Sequence, residues 1–159
     1  MPEIGERAPD FTLPCIAPSG QAGTLALAAL RPQPVVLYFY PRDATSSCTR
    51  EAQDFSRLAP EFAALGAQVV GVSKDSLAAH RRFVQKQGLQ VTLVSDAGTD
   101  LCERFGAWGP KKLYGKSYEG ILRMTFLIGG DGRIAAIWRV AKVAGHAEAV
   151  LAALQGAEN

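Results

Sequence analysis

The chain has 159 residues, 48% of them hydrophobic and 20% charged, which excludes disordered, collagen-like and coiled-coil chains and fits one globular domain over 1–159. Lys and Arg number 17 against 15 Asp and Glu, a formal net charge of +2. Neither sign forms a run that could neutralise many phosphates, so nucleic acid and membrane are not expected partners. No stretch approaches the roughly 18 consecutive apolar residues of a membrane span, and Met1 to Pro9 lacks the apolar block of a secretory signal. A cytoplasmic location is therefore expected.

In chain order, Phe11 to Leu13 and Thr24 to Leu27 predict a small N-terminal hairpin that turns around Pro18, Ser19 and Gly20. Val35 to Tyr40 is a continuous β-branched and aromatic run bounded by Pro34 and Pro41, the pattern of a buried central strand. After the polar stretch Asp43 to Ser47, Ala52, Phe55, Leu58, Phe62 and Leu65 recur every three or four residues, on one face of a helix. Gln68 to Ser73 predicts a strand, Ser76 to Gln87 a helix stopped by Gly88, and Val91 to Ser95 a further strand. A short helix is expected from Thr99 to Phe105, capped by Thr99 or Asp100 and stopped by Gly106.

Ala107 to Gly120 shows no regular pattern. Met124 to Ile128 and Ile134 to Trp138 predict a hairpin around Gly129 to Gly132, and Ala147 to Leu154 a closing helix. With βαβ units early and an antiparallel hairpin late, the expected class is α/β, a three-layer sandwich with a mixed central sheet and helices on both faces. No repeat or linker composition divides it.

The chemistry centres on cysteine. Cys15, Cys48 and Cys102 are odd in number and widely spaced, without a CxxC pair, which argues against a disulfide framework and a zinc ribbon. Cys48 falls between the strongest strand and the amphipathic helix, where unpaired N–H groups and the helix dipole favour a thiolate. Thr45, Ser46 and Ser47 add donors, and Pro41 can shield one side of the sulfur. Cys15 and Cys102 read first as small buried hydrophobes. His80 and His146 sit in polar helical surroundings and read as surface or capping residues, and Lys111, Lys112 and Lys116 as a solvated loop.

The segment Pro41 to Ala52, containing Pro41, Thr45 and Cys48 in the spacing PxxxTxxC and preceded by Val-Val-Leu-Tyr-Phe-Tyr, resembles the active-site motif of peroxiredoxins. It most resembles their bacterioferritin comigratory protein (Q-type) subfamily, with support from Phe105-Gly-Ala-Trp108-Gly, from Lys111 to Lys116 and from Gly120 to Ile128. The resemblance implies a thioredoxin-like fold with an N-terminal extension, and thiol-dependent reduction of hydrogen peroxide and small organic hydroperoxides. It implies Cys48 as the peroxidatic thiolate, Thr45 as hydroxyl donor, Arg123 as the cation, Glu51 as its orienting partner, and no cofactor or metal. Phe39, Tyr40, Ser47 and Trp108 are the expected pocket residues.

Relatives with a resolving cysteine five residues after the peroxidatic one differ from this chain, which has Gln53 there, and Ser76 to Gln87 holds no cysteine either. Ser46-Ser47 also stands where relatives commonly have Pro-Gly. Resolution by an external thiol is favoured, with Cys102 or Cys15 as alternative resolving thiols. Thioredoxin, glutaredoxin or a low-molecular-weight thiol is the expected reductant, and a monomer or weak homodimer the expected state. A disulfide oxidoreductase lacks its CxxC pair here, and a cysteine phosphatase fails because Asp54 stands six residues after Cys48, where an arginine is needed. The remaining competitor is a redox sensor or holdase switched by Cys48 oxidation.

Overall fold

Two antiparallel strands, β1 (Thr12–Ile16) and β2 (Ala22–Ala26), open the fold in a computed structural model that describes residues 1–157. Their connection passes through Gly20 at φ 88°, a left-handed value open to a residue without Cβ. In β3 (Val35–Phe39) every residue is buried, as a β-branched and aromatic run demands when both sheet faces are covered. The predicted helix after the cysteine loop is two, α1 (Ser46–Arg57) and α2 (Ala59–Ala64), hinged at Leu58. Pro60 in the first turn of α2 cannot donate the hydrogen bond that a continuous helix requires.

β4 (Gln68–Ser73), α3 (Leu77–Gln87) and β5 (Thr92–Ser95) follow as expected, with Ser76 capping the Ala79 N–H and Gly88 in the left-handed conformation at the end. Asp100 stands at the N-cap of helix α4 (Leu101–Arg104) but makes no side-chain cap bond; the Asp96 carboxylate instead accepts from Leu101 N at 3.0 Å and Cys102 N at 2.8 Å. The stretch without a sequence pattern folds into a separate hairpin of β6 (Trp108–Leu113) and β7 (Lys116–Ile121). Its two-residue turn, Tyr114-Gly115, has φ 52° and 76°, the type I′ signature. β8 (Met124–Ile128), β9 (Ile134–Arg139) and α5 (His146–Ala157) complete the chain.

The main sheet runs β2-β1-β5-β4-β3-β8-β9, with β3 parallel to β4 and antiparallel to β8. This is the mixed sheet of a thioredoxin-like α/β fold carrying an N-terminal hairpin. Strand alternation sends Val36, Tyr38 and Tyr40 to one face, where Phe55, Phe62, Phe83, Val150 and Leu154 cover them. Val35, Leu37 and Phe39 face a second core with Leu101, Phe105, Ile121 and Phe126. The layers are therefore unequal: α1, α2, α3 and α5 share one face, while short α4, the N-terminal segment and the base of the β6–β7 hairpin close the other. Tyr38 stacks on Phe55 at 4.7 Å and occupies space that Gly71 leaves open, since a Cβ there would lie 2.7 Å from the tyrosine ring. This aromatic floor fixes α1, and with it Cys48, over the end of β3.

Candidate active site

Cys48 is the third residue of α1, whose first backbone bond runs from Thr49 N to Thr45 O at 2.8 Å. The N–H groups of Ser46, Ser47 and Cys48 thus have no acceptor within the helix and lend the helix start its positive character. Cys48 as a residue is 1% exposed. Arg123, between β7 and β8, donates from Nη2 to Cys48 Sγ at 3.3 Å and from Nη1 to Glu51 Oε1 at 2.6 Å. Glu51 lies one turn after Cys48, so α1 presents both groups to one guanidinium. Burial pushes the Glu51 carboxyl up to about 7 against the opposing pull of Arg123, and its second oxygen, Oε2, has no hydrogen-bond partner among the described residues.

Beside this trio opens a cavity of about 470 Å³, walled by Pro41, Leu122, Arg123, Met124 and Val140 and flanked by Lys111 and Arg139. Sequence reasoning missed Lys111 and Arg139. Lys111 is half-buried, donating to Ile121 O at 3.0 Å; burial and the Arg123 charge lower its pKa, against the opposing field of Cys48. Alternation would have turned Lys111 and Lys112 to opposite faces had 108–113 been legible as a strand, so one of the two had to point inward.

The expected residues divide between this site and elsewhere. Pro41, Cys48, Glu51 and Arg123 come together. Thr45 is exposed, its hydroxyl donating to Arg42 O at 3.0 Å, and Ser47 is exposed at the helix start. Tyr40 is buried beneath the loop with its hydroxyl on Asp43 Oδ1 at 2.6 Å. Phe39 is turned by strand alternation to the opposite core, against Phe105 and Phe126 at 5.1 and 5.8 Å. Trp108 sits at the base of the β6–β7 hairpin under Lys74, whose Nζ lies 5.2 Å from its ring. None of these five side chains lines the cavity.

Cys48 belongs to the core on one face of the sheet, whereas Cys15 and Cys102 belong to the core on the other. Burial raises the pKa of Cys15, against a Gly23 backbone contact. Burial, then hydrogen bonding to Asp96, pushes the Cys102 thiol far up. Both are therefore held as neutral, poorly nucleophilic thiols.

Both histidines are buried, which corrects the expectation of surface or capping positions. His80 Nδ1 lies 2.7 Å from Asp43 Oδ2 and Nε2 3.0 Å from the Val94 carbonyl; a carbonyl only accepts, so Nε2 carries a hydrogen. The signal was present in the spacing Leu77, His80, Val84, which puts His80 on the inner stripe of α3. His146 meets Thr125 Oγ1 at 2.8 Å and Trp138 edge-on, and burial followed by repulsion from Arg123 lowers its pKa to about 4.

Among the described residues, Asp43, Asp75 and His80 alone group their ligand atoms closely enough to hold a metal. Those atoms are already engaged: Asp75 Oδ2 accepts from Asp43 N and Ser73 Oγ, and both Asp43 oxygens are bonded. The group instead ties the cysteine loop to α3.

A thiol held at a helix start by a guanidinium, on a thioredoxin-like sheet, defines a site of the thiol-peroxidase class. Residues 4–137 match the AhpC/TSA family model. The chain is 46% identical over 148 residues to Peroxiredoxin Bcp of Xanthomonas campestris, covering 93% of this chain and 91% of the relative. It is 42% identical over 154 residues to Peroxiredoxin Bcp of Bacillus subtilis, covering 96% and 95%. The structure of Xylella fastidiosa PrxQ superposes with a TM-score of 0.91 at 37% identity, covering 100% of this chain and 99% of that one. The chain belongs to the AhpC/TSA family, among its PrxQ/BCP peroxiredoxins, and is a thiol-dependent peroxidase. No helix among the described residues is long and apolar enough to cross a membrane.

Proposed function

We propose that this peroxidase is a cytoplasmic, single-domain, one-cysteine enzyme over 1–159, monomeric or weakly dimeric, that reduces hydrogen peroxide and small organic hydroperoxides at Cys48. The observation that carries the reading is the Cys48–Arg123–Glu51 arrangement, with Arg123 Nη2 3.3 Å from the sulfur. The Cys48 thiolate attacks the terminal peroxide oxygen; an S–O bond forms, the O–O bond breaks, and the leaving oxygen takes a proton and departs as water or alcohol. Negative charge spreads from sulfur onto both oxygens as this happens, and Arg123 together with the free N–H groups of the α1 start stabilises it without reorganising. Glu51 acts as a positioning residue by holding the guanidinium, and Pro41 walls the approach. Thr45 enters as a hydroxyl donor once its bond to Arg42 is released. The Xanthomonas campestris bacterioferritin comigratory protein, with a TM-score of 0.88 to this chain, has been described for alkyl peroxide reduction, which supports the same substrate class here.

The sulfenic acid is then resolved by an external thiol from thioredoxin, glutaredoxin or a small molecule. Support comes from the position of Cys15 and Cys102 across the sheet from Cys48, since a disulfide needs Cα atoms within about 7 Å. The test is steady-state peroxide consumption with each reductant in a Cys15→Ser/Cys102→Ser variant. Full turnover is expected; loss of turnover while Cys48 still oxidises would assign resolution to an internal thiol. Oxidation that occurs once and never cycles with any of the three reductants would mark a sensor instead.

A further inference from the structure

The cavity beside Arg123 has features that hydrogen peroxide alone does not require. At about 470 Å³ it lies within the range of small-molecule pockets, far more room than hydrogen peroxide needs. Leu122, Met124 and Val140 give it a largely apolar wall. Its rim carries Lys111 and Arg139, neither of which pairs with a carboxylate among the described residues, and no acidic side chain lines it. Arg123 is shared between this wall and the Cys48 sulfur, so a molecule seated here is separated from the reacting atom by one guanidinium.

We propose that this cavity seats an anionic low-molecular-weight thiol, with Arg139 and Lys111 holding its carboxylate and the apolar wall its carbon chain, as the reductant that resolves the Cys48 sulfenic acid. The inference rests on the one-cysteine reading and deepens it. Arg123 is already hydrogen-bonded to Glu51 and the sulfur, which leaves the two rim cations to set a positive potential that draws in anions. The bound thiol attacks Cys48–SOH, an S–S bond forms, and the hydroxyl leaves as water. A second molecule of the same thiol attacks the mixed disulfide, returning Cys48 to thiol and releasing the small disulfide. Two thiols are oxidised for each peroxide reduced, so the electrons balance.

Three probes differing in charge test this: 3-mercaptopropionate, 2-mercaptoethanol and 2-aminoethanethiol. Each is added to protein carrying preformed Cys48 sulfenic acid, and growth of the mixed disulfide is followed by quenched-flow mass spectrometry. Rates are compared per thiolate and corrected for thiol basicity, with a Brønsted slope of about 0.4–0.5. At low salt the anionic thiol is expected to react about tenfold faster than the neutral one, with the cationic thiol slowest. High salt should collapse the ordering in the unmodified protein, and Arg139→Glu should reverse it. Equal corrected rates for the three probes, or an ordering that ignores both salt and Arg139→Glu, would overturn the proposal while leaving the one-cysteine reading intact. An internal disulfide in place of sulfenic acid would overturn both.

Discussion

Arg123 has two hydrogen-bond partners, and they divide its functions. Its contact with Cys48 stabilises charge on the reacting atoms, and its contact with Glu51 fixes where that charge sits. Arg123→Ala is expected to lower the second-order rate of Cys48 oxidation by about 10²–10³, the scale of losing one preorganised electrostatic donor. Glu51→Gln keeps an acceptor for Nη1 and is expected to remain within about tenfold; stopped-flow oxidation of the two variants checks the ranking. An unchanged rate in Arg123→Ala would remove it from the site. Cys48→Ser abolishes turnover under the same account.

His146 supplies a pH prediction. Its pKa falls from 6.5 to about 4 on folding, chiefly through burial, so the unfolded chain binds the proton more readily. Stability is then fully present above pH 6.5 and falls by about 3 kcal/mol as pH drops to 4. Glu51 opposes this, since its raised pKa favours the folded state at low pH and that contribution fades as pH climbs from 4.5 to about 7. Denaturant midpoints measured across pH 4 to 7 should therefore vary little in the native chain. They should fall with rising pH in His146→Gln and rise with pH in Glu51→Gln. Parallel profiles in all three proteins would contradict this assignment.

At the scale of elements, the loop between β3 and α1 is held in an unfavourable conformation. Ala44 has φ 65°, a left-handed value that costs a residue with a Cβ roughly 1–2 kcal/mol. On one side of Ala44, Asp43 is tied to Tyr40, His80 and Asp75; on the other, the Thr45 hydroxyl is tied to Arg42. Asp43→Ala removes the first anchor and leaves the buried Tyr40 hydroxyl and His80 Nδ1 without their acceptor, a loss of about 1–3 kcal/mol per unsatisfied group. Urea unfolding measures it, and a change below about 1 kcal/mol would show that the network does not brace the loop.

Much of this level was legible beforehand: β4 and β8 have the limits read from their apolar runs, and Gly88 ends α3 as read. The β6–β7 hairpin was not, because its I′ turn begins with Tyr114 rather than Asn or Asp, and its strands are mostly exposed and weakly alternating. The buried histidines were missed for another reason: a polar residue on an apolar stripe declares itself only when its partner is known, and Asp43 lies 37 positions from His80.

At the scale of the whole molecule, the central sheet acts as a partition between thiols. Cys48 sits on the face covered by α1, α2, α3 and α5, whereas Cys15 and Cys102 sit on the other. Cysteine spacing could suggest candidate partners but could not tell which face each occupies, because that depends on strand register and on the route of the chain around the sheet edge. The motif around Cys48 was legible because its residues are close in sequence. The rim cations Lys111 and Arg139 were not, since they meet only when the β6–β7 hairpin and the end of β9 converge on one opening.

The partition is tested most directly by treating the reduced protein with one equivalent of hydrogen peroxide in the presence of dimedone and mapping all three cysteines by mass spectrometry. A single dimedone adduct on Cys48 is expected, with Cys15 and Cys102 remaining as free thiols. A loss of two hydrogens with a Cys48–Cys102 or Cys48–Cys15 linkage would contradict it.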